Sequence, residues 1–222
     1  MSTRLVGSTT NLCQSIDFIV PNRQLQAAIE AIRTLERLEP CRDIKHCPSG
    51  PHDRYTPPPA YHRHVDGSEI TVGLYSQADT LWFLPEFDQS LVYPPSLEMH
   101  PHFVFASDKA ILPTRRDGRG GGAFRKDEPS VLVPRAIVLL EAFLRLYARD
   151  CEKQIGSFAM QMITYIEEYV DGDGYLDHCT LPAPLQMFYE ELKGGEKPVG
   201  QWKWELRSAL GVQNEEDQPQ KP

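Results

Sequence analysis

No apolar run in this chain approaches the ~20 residues of a membrane-spanning helix, and its start has no basic segment followed by an apolar one. A membrane protein and a signal-led secreted protein are therefore not expected; a cytosolic or nuclear site, cytoplasmic by default, is. Cysteine is scarce: Cys13, Cys41, Cys47, Cys151 and Cys179 are an odd, sparse set in 222 residues, unlike a disulfide framework, so reduced thiols are expected. Positive charge is short too. Against 31 acidic residues stand 23 Lys and Arg, dispersed, for a formal charge of −8, which leaves no broad footprint for duplex nucleic acid. No internal repeat is visible, and no Ser, Cys or His occupies a nucleophile motif such as G-x-S-x-G, so acyl transfer and thiol hydrolysis have no support.

Apolar residues and proline are plentiful. At 41% apolar the chain can bury a core as one large domain or two small ones. Nineteen prolines crowd between residues 40 and 134, interleaved with Trp82, Phe83, Phe103 and Phe105, which predicts long ordered loops.

The pattern predicts an α+β protein, an N-terminal mixed α/β layer followed by a C-terminal helical bundle. Residues 24–38 place Leu25, Ala28, Ile29, Ile32, Leu35 and Leu38 on one helical stripe. Residues 61–65 and 69–75 flank Asp66-Gly67, a hairpin turn; residues 80–84 and 102–106 are further strand candidates. Pro134 suits the first position of a helix to about Arg149, with Ile137, Leu140, Leu144 and Tyr147 inward. Further helices are expected over 152–170, 183–192 and 199–210, the last two ending at Gly194-Gly195 and Gly211. The organisation expected is an α/β region over 1–112, a flexible Arg/Gly-rich loop over 113–129, a helical region over 130–211 and a disordered tail over 212–222.

One local pattern has a reaction attached. Arg4 to Val6 reads as a strand, Gly7-Ser8 as a turn, and Ser15-Ile16-Asp17-Phe18-Ile19-Val20 as a second strand leading, after Pro21-Asn22, into the first helix. Carboxylates at i and i+2 on a strand share a face and can share metal ions, and a Gly-Ser turn lets backbone N–H groups approach a triphosphate. Over about residues 4–38 the chain resembles the DNA polymerase β-like nucleotidyltransferase superfamily, with Ser15-Ile16-Asp17 where its Asp-x-Asp signature would stand. The resemblance implies an Mg²⁺-dependent nucleotidyltransferase fold with Asp17 as metal carboxylate and Gly7 and Ser8 as the phosphate turn. Asp66 or Glu69, and less so Asp108, would supply a third carboxylate. Because Ser15 is a neutral hydroxyl and Mg²⁺ selects anionic oxygen, it also implies a degenerate site, whose surviving role is to bind a nucleotide-like ligand or a partner protein.

Other constellations compete. Cys41, Cys47, His52, His62 and His64 follow C-x5-C-x4-H-x9-H-x-H, which matches none of the compact zinc knuckles, so buried thiols and exposed imidazoles are the favoured reading. His62 and His64 would share one strand face, leaving open a metal-dependent enzyme built on that pair. Arg115, Arg116 and Arg119 beside Gly120 to Gly122 could clamp an anion. Asp171-Gly172-Asp173-Gly174 resembles part of a calcium loop, but a helix end explains it better, since Tyr169 and Thr180 occupy the first and last ligand positions. Trp202 and Trp204, two apart on a helix, cannot both face inward. A non-enzymatic interaction protein, presenting Trp82/Phe83 or Trp202/Trp204, is the rival expectation.

Overall fold

Strand β1 (Ser15–Val20) leads through one 3-10 turn into helix α1 (Leu25–Arg33). The computed structural model describes residues 15–45, 47, 49, 57–68, 70–88, 100–108, 131–151 and 156–212. Gly7, Ser8, His52, Glu69, Arg115, Arg116 and Arg119 lie outside them. The fold is α+β, as the sequence pattern requires. The chain divides into two units, one of residues 1–88 with 152–158, the other of residues 89–151 with 159–222.

In the first unit β1 pairs in parallel with β4 (Thr71–Ser76), which pairs antiparallel with β3 (Tyr61–Val65), itself antiparallel to β2 (Leu38–Pro40). All six residues of the central strand β4 are buried. The register fixes two faces. Val72 and Leu74 of β4, Tyr61 and Val65 of β3, and Leu38 of β2 pack with Leu25, Ala28, Ile29 and Ile32 of α1, the helix's three- and four-residue stripe laid on one pleat face. The other face carries Ser15, Asp17, Thr71, Gly73, His62, His64 and Glu39, aligned by the pairings Asp17↔Gly73, His62↔Gly73 and Glu39↔His64.

Two elements depart from expectation. α1 stops at Arg33 rather than Leu38 because Thr34 closes the helix on Ala31, through both its N–H and its hydroxyl. The Arg63 guanidinium then takes the Arg33 carbonyl at 2.9 Å, a cation at a helix C-terminus, and Leu38 is buried as a strand residue. Residues 80–84 are not a strand: the chain leaves β4 through helical turn α2 (Gln77–Thr80), with the Thr80 hydroxyl donating to Ser76 O at 2.8 Å and Leu81 N–H to Gln77 O.

In the second unit β5 (Phe103–Phe105) pairs with β6 (Leu132–Pro134). Pro134 thus ends a strand opposite Phe103, and α3 (Ala136–Asp150) begins two residues later. With the part of α4 (Gly156–Ile166) from Ala159 on, α5 (Leu185–Gly194) and α6 (Val199–Ala209), it encloses Leu140, Leu144, Ile163, Leu185, Trp202 and Leu206. α5 ends where Gly195 takes φ 64°, donating to Glu191 O and Leu192 O, the left-handed cap glycine allows.

Trp202 is 1% exposed, its indole N–H donating to Phe188 O at 2.7 Å, whereas Trp204 is 60% exposed. Loss of a buried aromatic of this size costs about 3–5 kcal/mol, a surface change less than about 0.5 kcal/mol. Trp202→Ala is therefore expected to lower the urea midpoint of the helical unit strongly and Trp204→Ala hardly at all, as read by denaturation followed at the helix far-UV signal.

Candidate metal centre

The non-helical face of the sheet is where chemistry-bearing groups converge. Strand β3 alternates: Tyr61 and Val65 enter the core under α1 and Arg63 reaches the helix end, so His62 and His64 project from the opposite face. The segment after β2 comes back to meet them. Cys47 N–H donates to Asp43 O at 3.0 Å and Lys45 N–H to Asp43 Oδ1 at 3.2 Å, a reversal that carries Cys47 against the sheet. Just beyond, the Ser49 and Thr71 hydroxyls, both buried, lie 2.7 Å apart and fasten the loop to β4.

The result is a four-residue group. Cys47 Sγ is 3.3 Å from His62 Nε2 and 3.4 Å from His64 Nε2. With Cys41 these residues form a set whose ligand atoms all lie within 4.8 Å of one another. The two imidazoles meet edge-on, ring centres 5.8 Å apart. A tetrahedral zinc ion with Zn–S of about 2.3 Å and Zn–N of about 2.0–2.1 Å holds sulfur and nitrogen about 3.5 Å apart, close to both distances. Cys47 is buried; Cys41, His62 and His64 are partly so. Cys41, Cys47 and His64 border an open cleft of about 810 Å³, lined also by Asp43 and Asp66.

Burial, with a smaller contribution from His64's charge, holds the His62 imidazole below its ordinary pKa, favouring the neutral form that ligates metals. The Cys41 thiol is pushed up, first by burial, then by the neighbouring Cys47 thiol. Such a thiol becomes a ligand only as a metal displaces its proton. The group can hold a metal ion, and two sulfurs with two imidazoles suit a softer ion than Mg²⁺.

Asp17 lies on the same sheet face but outside this group. Its residue is exposed on edge strand β1, yet the carboxylate turns back over Gly73, Oδ1 lying 3.0 Å from where a Gly73 Cβ would sit. There burial raises its pKa, while the Ser15 hydroxyl, donating to Oδ2 at 3.0 Å, opposes the rise. Asp66 lies in the β3–β4 turn, beside the cleft. Among the described residues, neither Asp17 nor Asp66 joins any other group of three or more His, Cys, Asp or Glu ligand atoms, so Mg²⁺ gains no support from them.

The Asp171-Gly172-Asp173-Gly174 segment resolves as structure. Asp171 ends a π-helical segment (Glu167–Asp171) and accepts from the Tyr189 hydroxyl at 3.0 Å and from Lys193 Nζ at 2.5 Å. Burial alone would raise this carboxyl, but Lys193 and Tyr189, together with the charge of His178, hold it below the usual range. This is the helix end, not a calcium loop. Trp82 is 39% exposed, packing edge-on to Phe83.

Sequence spacing alone favoured solvated imidazoles here. The legible signal was His-x-His on a strand; the two sulfurs come from a loop that only tertiary structure returns to that face. No family model, curated protein or solved structure matches the chain, so function rests on the geometry of this face.

A methyl group at Gly73 would also meet Tyr75 Cε2 at 3.1 Å and Pro59 at 3.5 Å. Gly73→Ala is expected to destabilise the sheet unit by about 1–2 kcal/mol, as overpacking does. Asp17→Ala made in the same chain should recover part of that loss, read as coupling in a double-mutant denaturation cycle.

Proposed function

We propose that this protein is a zinc-binding α+β protein in which Cys41, Cys47, His62 and His64 bind one Zn²⁺ as a structural site. The observation that carries the reading is the convergence of four ligand atoms within 4.8 Å, with sulfur-to-nitrogen separations of 3.3 and 3.4 Å. Two thiolates and two neutral imidazoles neutralise Zn²⁺ without leftover charge, which favours zinc in a partly buried place. Four protein ligands fill a tetrahedron, so no position remains for water or substrate; that distinguishes a structural site from a catalytic one. What the ion does is tie the returning loop to β3. The same argument disfavours an enzyme built on His62 and His64 alone.

Purified, reduced protein is expected to contain one zinc per chain by elemental mass spectrometry. Cys47→Ser or His64→Ala should bring that close to zero. Because binding energy at such a site is folding energy, a chelator should accelerate amide exchange in β2, β3 and β4 and leave α3, α5 and α6 unchanged. Substoichiometric metal unaffected by these substitutions would overturn the reading.

A second reading rests on the resemblance of residues 4–38, in which Ser15 and Asp17 share a strand face. On the nucleotidyltransferase resemblance, β1 would bind a nucleotide with Mg²⁺ without turning it over, because a hydroxyl holds the cation far less tightly than a carboxylate. The expected outcome is a rise in melting temperature with a nucleoside triphosphate plus Mg²⁺ that disappears in Asp17→Ala. No rise with ATP, GTP, CTP or UTP would sink it.

A further inference from the structure

Besides ligating, the two sulfurs of the centre are placed to react with each other. Cys41 and Cys47 are separated by five residues, and the loop between them is already reversed by the Cys47 N–H to Asp43 O bond of 3.0 Å. The two sulfurs lie within 4.8 Å of each other. Their exposure differs in a useful way. Cys47 is only 8% exposed, whereas Cys41 is partly open and borders the cleft, where a molecule the size of hydrogen peroxide can reach it.

The remaining described cysteines have no such arrangement. Cys151 takes an N–H from Arg207 at 3.1 Å in the helical unit, and Cys179 is exposed; neither joins another cysteine in a ligand group.

We propose that Cys41 and Cys47 are a peroxide-sensitive pair, whose oxidation to a disulfide expels the metal; the release step rests on the zinc reading above. The Cys41 thiolate attacks one peroxide oxygen, breaking the O–O bond. A sulfenic acid forms on Cys41, and the departing hydroxide takes a proton to become water. The Cys47 thiolate then attacks the Cys41 sulfur, forming the S–S bond and displacing a second hydroxide, which is likewise protonated. In sum, two thiolates, one hydrogen peroxide and two protons give one disulfide and two waters. The sulfurs lose two electrons and the peroxide gains them. Zinc keeps only His62 and His64, too few ligands to retain it, and departs.

Zinc-loaded, reduced full-length protein titrated with hydrogen peroxide provides the test. Zinc release is followed with a metallochromic indicator, and tryptic peptides are mapped by mass spectrometry under non-reducing conditions. Cleavage after Arg42 and Lys45 separates the two cysteines, so a disulfide appears as a cross-linked peptide pair. The expected result is one zinc released per Cys41–Cys47 cross-link, with rebinding after dithiothreitol and added zinc. Cys179→Ser should behave as the parent, and Cys41→Ser should give no cross-link. Release accompanied by sulfinic acid on Cys41 without a cross-link overturns the inference, as does full retention of zinc under peroxide that oxidises Cys179. Protein with no zinc at the outset overturns the metal reading instead, and a cross-link formed in it would show that the thiols pair without a metal to release.

Discussion

The pleat of β3 is the constraint from which the rest of the sheet unit follows. Five residues, Tyr61 to Val65, must serve two environments at once, and period-two alternation divides them without a bulge. Tyr61 and Val65 go under α1 and Arg63 to the helix terminus, so His62 and His64 have no choice but the other face. A one-residue slip would bury both imidazoles beneath α1 and turn Tyr61 and Val65 out to the loop, so helix packing and site geometry enforce the same register. The apolar contact supplies the energy, and His62 and His64 receive their alignment from it.

The helical unit has its own core, in which Trp202, Leu206 and Leu140 are almost wholly buried. Its polar groups are used internally: Asp171 joins Tyr189 and Lys193, and Arg207 donates to Ala148 O at 2.9 Å. These contacts fasten helix ends and interiors. The sheet unit, with a smaller apolar cluster of Ile32, Leu38, Val72 and Leu74 at its centre, has more to gain from a bound ion. Small cores commonly need such reinforcement.

Local periodicity made most of the fold legible. The stripe of α1, the Asp66-Gly67 hairpin and the inner face of α3 are each short-range patterns, and each is present. What sequence missed was set by competition over distance. Leu35 and Leu38 continue the helical spacing, but Leu38 is claimed by strand pairing with Val65, and Leu35 is left 52% exposed. The site divided along the same line. His62 and His64 were recognisable as a same-face pair, whereas Cys41 and Cys47 sit in a proline-rich stretch with no periodicity, and five intervening residues rather than the usual two to four disguised them.

Ligand chemistry discriminates between the two metals the sequence brought into view. At β1 the position where an oxygen anion would be needed holds Ser15, whose hydroxyl is engaged as a donor to Asp17, and Asp17 itself is crowded over Gly73 by burial that disfavours its charge. A hard cation finds little there. At β3, the sulfurs and imidazoles form a set that a hard cation would not select and that zinc matches in number, charge and spacing. The two sites share one sheet face and differ in what burial does to them. Keeping His62 neutral prepares it as a ligand, whereas opposing the ionisation of Asp17 works against its role as one. The desolvation that works against a hard cation at β1 therefore suits a softer one at β3.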